Sequence, residues 1–323
     1  MKMVSEQSRR IQALRGLAII AVVFIHNTPT GIAQVFCRPF LNFAVGLFLF
    51  LSGLLSDSAN WNPQKRIIKV FIPYVLWSLI YSIMYNISNP ISIPISFVKN
   101  VLTGKAAATM YYIFVYCQFT LLIPFIDKLA KSKFKYLGFL ISPVEIIVMR
   151  SIPLIIGLEI NRYISAIMSI SCLGWFTYFY LGYLLGNNEL SVNTASKKLP
   201  LLWMTSLLFQ IAEGYYLYTL EYENCGTQLK LTSIFSGVLF ALMAYNYVIR
   251  GKTRNTKILE LLGDNSFGIY FSHLAVMAVV GHIPGYAKYV TYPVSAVIAI
   301  FLTIICVLLG KRILGKNSRY LAL

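Results

Sequence analysis

At 323 residues, with 58% hydrophobic side chains and only 12% charged ones, the chain carries too much apolar surface for a soluble domain and reads as a polytopic membrane protein. Its formal charge is +17, yet the lysines and arginines fall in short clusters between apolar runs, a pattern of membrane topology and not of a nucleic-acid face. Five cysteines stand singly, without CxxC pairs or neighbouring His or Asp at ligand spacing, so no metal and no redox chemistry is expected.

Apolar runs of about 17 to 23 residues predict ten membrane-spanning helices, an all-α fold. The runs begin near Gly16, Phe40, Val70, Tyr111, Tyr136, Ser169, Leu199, Leu231, Asn265 and Tyr292. With a cytoplasmic amino terminus, the inner side takes all of the 28 Lys and Arg residues except Arg38, Lys99, Lys105, Arg150, Arg162, Lys230 and Lys288. That bias sets both termini in the cytoplasm. One membrane-embedded domain covers residues 1–323, because the widest gap between runs, from about Asn86 to Met110, is too short for a second domain. No small-residue cleavage site follows the first run, so it is expected to stay in the protein. Tyr74, Trp77, Trp175 and Tyr178 stand near span ends, where interfacial anchors are expected. Cys37 and Cys225 both fall on the outer side, which leaves room for one disulfide.

The first run carries a lone arginine, Arg15, at its start and a lone histidine, His26, eleven residues later. Eleven steps of about 100° bring the two side chains within roughly 20° of each other around a helix and about 16 Å apart along it. His26 is then expected near mid-bilayer, where a titratable group is costly and reads as functional, with Arg15 at the cytoplasmic rim facing an anionic ligand. The bland alternative is a rim arginine that snorkels beside a satisfied core histidine.

In the second run, Val45 to Gly53, Gly46 and Gly53 lie two turns apart on one face, and Ser52 adds a hydroxyl. Small residues there admit a closely packed helix. The next loop brings Lys65, Arg66 and Lys69 ahead of Pro73 and Tyr74, either as a positive-inside anchor or as a phosphate site at the membrane surface. The fifth run is interrupted by Pro143, Glu145, Arg150 and Pro153, as in a kinked helix facing protein or a water-filled cavity. Glu145 is either a cavity-lining acid or base or the partner of a cation such as Arg150. Gln210 and Glu213 raise the same question nearer the outer face, beside exposed-looking tyrosines. The ninth run opens at Asp264, a plausible N-cap, and places Tyr270 and His273 three residues apart on one face. His282, before Pro284, is read as structural.

Arg15, ten intervening residues and His26, preceded by Ile11-Gln12-Ala13-Leu14 and followed by Gly46 to Gly53, resemble the amino-terminal signature of the acyltransferase 3 family of integral membrane acyltransferases. The basic cluster before Pro73-Tyr74, the Phe179 to Gly186 stretch and Ser266 to His273 recur in matching order, so the resemblance covers nearly the whole chain. It implies ten helices in the cell membrane, a cytoplasmic acyl-CoA donor, often acetyl-CoA, and an acceptor hydroxyl on a cell-surface polysaccharide or its lipid-linked precursor. Acyl-CoA is then a co-substrate, with no permanently bound cofactor; the partners are acyl-CoA, a carbohydrate and the bilayer, with no nucleic acid. By this resemblance His26 and Arg15 match the essential histidine and arginine. The family commonly has two arginines in the basic loop, where this chain has Arg66 and then Lys69, and lysine lacks the bidentate fork.

The chemistry this implies moves an acyl group from a thioester to a hydroxyl without carrying coenzyme A across. A neutral His26 would take the hydroxyl proton, or accept the acyl group itself. Arg15, Arg66 and Lys69 would hold the donor phosphates, and Ser52, Glu145, Tyr270 and His273 are the cavity-lining candidates. A saccharide or solute transporter or flippase also has many helices with buried polar residues, but the two halves show no convincing internal repeat. A scaffold subunit of a polysaccharide synthase would need no chemistry at His26.

Overall fold

In the computed structural model, which describes residues 5–157, 160–194, 196–222, 224–252 and 255–323, the chain is all-helical, with 78% helix and no strand among the described residues. Lys2 and Arg254, both assigned to the inner side by the charge pattern, lie outside these residues, as do the side chains of Pro153 and Arg162. The helices in chain order are α1 (Ser5–Asn27), α2 (Ile32–Cys37), α3 (Phe43–Leu54), α4 (Pro63–Tyr85) and α5 (Ile93–Thr103). There follow α6 (Tyr111–Ala130), α7 (Ile141–Ile156), α8 (Asn161–Ile170), α9 (Phe176–Gly186) and α10 (Lys198–Thr219). The last are α11 (Leu231–Arg250), α12 (Lys257–Asp264), α13 (Ser266–Gly281), α14 (Tyr286–Tyr289) and α15 (Val294–Leu314), before a closing 3-10 turn, Gly315–Leu321.

Each of the ten apolar runs holds a helix. Among the described residues, five stretches are long and apolar enough to cross a membrane: Ile32–Leu54, Pro63–Tyr85, Tyr111–Ala130, Leu231–Arg250 and Val294–Leu321. The helices divide into two compact units, residues 1–61 with 122–264 and residues 62–121 with 265–323, the division falling within α6.

The first unit is built on backbone-close seams. α3 packs on α9, whose 11 residues are all buried. A Cβ on Gly53 would stand 2.0 Å from Phe179 O, one on Gly182 2.0 Å from Phe50 O, and one on Gly186 2.3 Å from Leu54 O. Gly46 faces the Tyr178 ring in the same seam. The small residues of the second run therefore do admit a close partner, and that partner is the Phe179 to Gly186 stretch.

Aromatic residues expected at the membrane–water interface are interior instead. Tyr74 is 0% exposed, Trp77 8%, Trp175 2% and Tyr178 2%. The Tyr178 hydroxyl donates to Ser233 O, and in the second unit Trp77 Nε1 donates to Leu321 O and the Tyr74 hydroxyl to Val101 O. A tyrosine or tryptophan whose polar tip finds a backbone carbonyl has no need of the headgroup layer.

The gap after the third run is not structureless. It holds α5, ended by Gly104 at φ +67 and tied to α4 by Asn100 Nδ2 donating to Ser82 Oγ at 2.9 Å. α13 packs on α15 and α4 in the same unit, where the Tyr81 hydroxyl donates to Phe271 O at 2.7 Å and accepts from Ala275 N at 3.1 Å. All five cysteines are free thiols, so the Cys37–Cys225 disulfide is not formed.

Candidate functional site

α1 runs from Ser5, eleven residues before the apolar run at Gly16, and its polar first half packs on α12. The contact is reciprocal: a Cβ on Gly16 would meet Leu259 O at 2.0 Å and one on Gly263 would meet Gln12 O at 1.9 Å. Ion pairs fasten this end of the helix. Arg9 Nε meets Glu260 Oε2 at 2.9 Å, and Arg10 reaches Glu6 at 2.6 Å while donating to Val248 O at 3.0 Å. The Arg9 hydrogen bond, with one from Thr256, holds the Glu260 carboxyl below the usual carboxylate range.

Arg15 thus lies midway along one unbroken helix, and its 11-residue spacing to His26 is helical throughout. Arg15 is half-buried; its Nη1 stands 3.5 Å from Gln12 Oε1, and among the described residues it forms no ion pair. Gln12 is the residue whose carbonyl sits on Gly263, so the seam with α12 also fixes the surroundings of Arg15. His26 is half-buried in the last turn of α1, at the end away from Arg9 and Arg10.

Ser52 sits half-buried near the end of α3, its carbonyl accepting from Ser56 Oγ at 2.7 Å. Glu145, on α7, is 8% exposed, packed against Gly174, and its Oε2 has no hydrogen-bond partner among the described residues. Arg150 does not pair with it. Five residues on, it points to a different side of α7, donates to Leu229 O at 3.2 Å and lies 5.4 Å over the Tyr222 ring.

Two residue sets fall in the second unit. Arg66 and Lys69 ride on the start of α4, where Asn62 caps the helix by accepting from Lys65 N at 3.0 Å; Arg66 is half-buried and Lys69 exposed. On α13, Tyr270 and His273 are both buried, the Tyr270 hydroxyl donating to Thr109 O and His273 Nδ1 lying 2.8 Å from Ile269 O. Asp264 is not the cap of that helix: it ends α12, and Asn265 stands at the N-cap with its Oδ1 accepting from Lys311 Nζ. His282 is exposed at the C-cap of α13, bonded to Ala278 O.

A buried polar network in the first unit was only partly legible. Gln210, 0% exposed, accepts from Asn42 Nδ2 and Ser233 Oγ at 2.9 Å each and donates to Ser236 Oγ. Glu213 caps α11 by accepting from Leu231 N and Thr232 N. Lys230, which sequence reading left among the outer or buried cations, is 1% exposed and donates to Gln210 O at 3.1 Å and Cys225 O at 3.3 Å. Burial lowers its ammonium pKa to about 8. These groups tie the 221–230 loop to α10; the signal that hinted at it was the polar pair Gln210 and Glu213 in an otherwise apolar run.

No curated protein and no solved structure matches this chain. The profile of the acyltransferase 3 family, described as an acyltransferase domain, matches residues 9–312 and so takes in α1 with Arg15 and His26, the glycine seam of α3 and α9, the start of α4 and all of α13. The chain belongs to the acyltransferase 3 family and is a membrane acyltransferase.

Proposed function

We propose that the protein transfers an acyl group, in the first instance acetyl, from cytoplasmic acyl-CoA to a hydroxyl of a cell-surface polysaccharide or its lipid-linked precursor, as a ten-span protein of the plasma membrane with both termini inside. The observation that carries the reading is α1: one continuous helix bearing Arg15 and His26 on a single stripe about 16 Å apart, a separation on the scale of an extended pantetheine arm. With Arg9 and Arg10 at the cytoplasmic end, Arg15 is the cation nearer the donor and His26 lies further towards the side from which an external hydroxyl arrives.

In this reading the neutral His26 imidazole removes the proton of the acceptor hydroxyl as its oxygen attacks the thioester carbonyl, and the coenzyme A thiolate leaves towards the cytoplasm and takes up a proton. Such a base is worth about 10² to 10⁴ in rate. Arg15, Arg66 and Lys69 hold donor phosphates. Ser52, Glu145, Tyr270 and His273 are assigned to the cavity wall. The test is mass spectrometry of surface glycans from cells with and without the chain. A lost acyl mass, 42 Da for acetyl, supports the transfer, and identical glycan masses argue for a transporter or scaffold.

A further inference from the structure

The chain's 11 Asp and Glu residues all belong to the first unit; residues 62–121 and 265–323 together carry ten Lys and Arg and no side-chain carboxylate. The contrast extends to pairing. The three ion pairs found among the described residues, Arg9–Glu260, Arg10–Glu6 and Lys131–Asp127, are all in the first unit. Within its own unit, the cation set of the second meets no Asp or Glu side chain.

Seven of these ten cations, Lys65, Arg66, Lys69, Lys311, Arg312, Lys316 and Arg319, are gathered at one end of the unit. α4 and α13 run parallel, with Trp77 stacked on Phe271 at 6.3 Å and Tyr81 bonded to Phe271 and Ala275. Fourteen residues of α4 precede Trp77 and five of α13 precede Phe271, so the start of α4 overhangs the start of α13 by about 13 Å. Arg66 and Lys69 are on that overhang. α15 ends at the same level, since Lys311 in its last turn bonds to Asn265 at the start of α13. From there the 3-10 turn Gly315–Leu321 folds back against α4 and is pinned by Trp77 Nε1 donating to Leu321 O at 3.0 Å. Lys316 and Arg319, on this turn, are exposed. The Arg319 guanidinium is held over the Tyr320 ring at 4.9 Å with Nη2 on the Tyr320 hydroxyl at 2.9 Å, which pre-orients a planar fork suited to a phosphate.

We infer that the carboxy-terminal turn is a phosphate-binding element in which Lys316 and Arg319 join Arg66 and Lys69 in gripping phosphate esters. Two sources present that chemistry at this end of the molecule: the nucleotide of coenzyme A, which rests on the donor reading above, and the headgroups of anionic lipid, which does not.

The test uses the full chain in nanodiscs, as wild type and as the double variant Lys316→Ala, Arg319→Ala, with Arg319→Lys to separate charge from fork geometry. In phosphatidylcholine discs, calorimetric titration with coenzyme A is expected to show at least about tenfold weaker binding for the double variant and an intermediate loss for Arg319→Lys. Pantetheine, which has no phosphate, should bind both proteins equally. In a second arm, phosphatidylglycerol is added to the discs and the rise in melting temperature is read. If coenzyme A affinity is unchanged but this rise is lost in the double variant, the phosphate is a lipid headgroup. If wild type fails to bind coenzyme A at all, the donor reading falls and the lipid arm alone decides the patch. Unchanged coenzyme A affinity together with an unchanged phosphatidylglycerol response overturns the inference.

Discussion

Gly182→Ala offers a direct measure of how tightly the glycine seam holds the first unit. The added methyl would lie 2.0 Å from Phe50 O and 2.8 Å from Leu54 N, so α3 and α9 must separate by roughly 1.4 Å or more to reach ordinary contact. Neither helix has room to give way: Phe50, Leu54 and Phe179 are each 2% exposed or less. If a third of the 40–60 contacts of each such side chain faces the seam, a gap near 1 Å forfeits a quarter to a half of that attraction, about 2–4 kcal/mol over the three. The better helix propensity of alanine returns about 1 kcal/mol, leaving a net loss of about 1–3 kcal/mol. The assay is a thermal melt of detergent-purified protein followed by size-exclusion chromatography. Gly281→Ala serves as the control, since nothing lies within 4 Å of a Cβ there. Gly182→Ala is expected to melt several degrees lower while Gly281→Ala, which gains helix propensity without a clash, melts at or slightly above wild type, and Gly53→Ala added to Gly182→Ala should cost less than the sum, because the first substitution has already opened the seam. Equal melting of Gly182→Ala and Gly281→Ala would refute backbone-close packing of α3 on α9.

Single-cysteine labelling should place Lys65 to Lys69, Arg250 and Lys257 on the cytoplasmic side and Lys99 to Lys105 outside; equal labelling of both sets from outside would overturn the ten-span topology. Arg15→Lys keeps the charge but loses the bidentate contact, so coenzyme A should raise the melting temperature of this variant by clearly less than that of wild type, and equal stabilisation would remove Arg15 from the donor site. Lys230, with its folded pKa lowered to about 8 from 10.5, binds more proton in the unfolded chain between those values. Stability from this group therefore rises as pH climbs from about 8 to 10.5. The melting temperature of wild type minus that of Lys230→Met should increase over that window, and a difference that stays flat or falls would contradict an unpaired buried ammonium.

The parts of the fold that could be read in advance are those where one residue type has one physical use. Gly46 and Gly53, two turns apart in an apolar run, signal a close helix contact whatever the partner; the partner, α9, is set by tertiary packing and was visible only as a second glycine stretch, Gly182 and Gly186. Tyr74, Trp77 and Tyr178 were read as headgroup anchors, and prove buried, because an amphipathic ring looks the same at a headgroup layer and in a core where a carbonyl takes its polar tip. The true start of α1 was hidden by hydropathy, since Ser5 to Arg15 is stabilised by α12 and by Arg9–Glu260, contacts some 250 residues apart in sequence. That offset moved His26 from the middle of its helix to the last turn. The Arg15–His26 spacing was legible because it depends only on helical geometry, whereas the burial of Glu145 away from Arg150 depended on where the 221–230 loop lies.

The central claim is that His26 performs the bond-making step of acyl transfer while the cations hold the donor. The most direct measurement is acetyl transfer from labelled acetyl-CoA to glycan acceptors in membranes carrying wild type or His26→Gln at matched expression, with coenzyme A affinity measured on the same preparations. Glutamine keeps hydrogen bonding and approximate volume but cannot take up a proton near neutral pH. The account predicts at least a hundredfold loss of transfer with coenzyme A affinity retained; transfer by His26→Gln at near wild-type rate would contradict it.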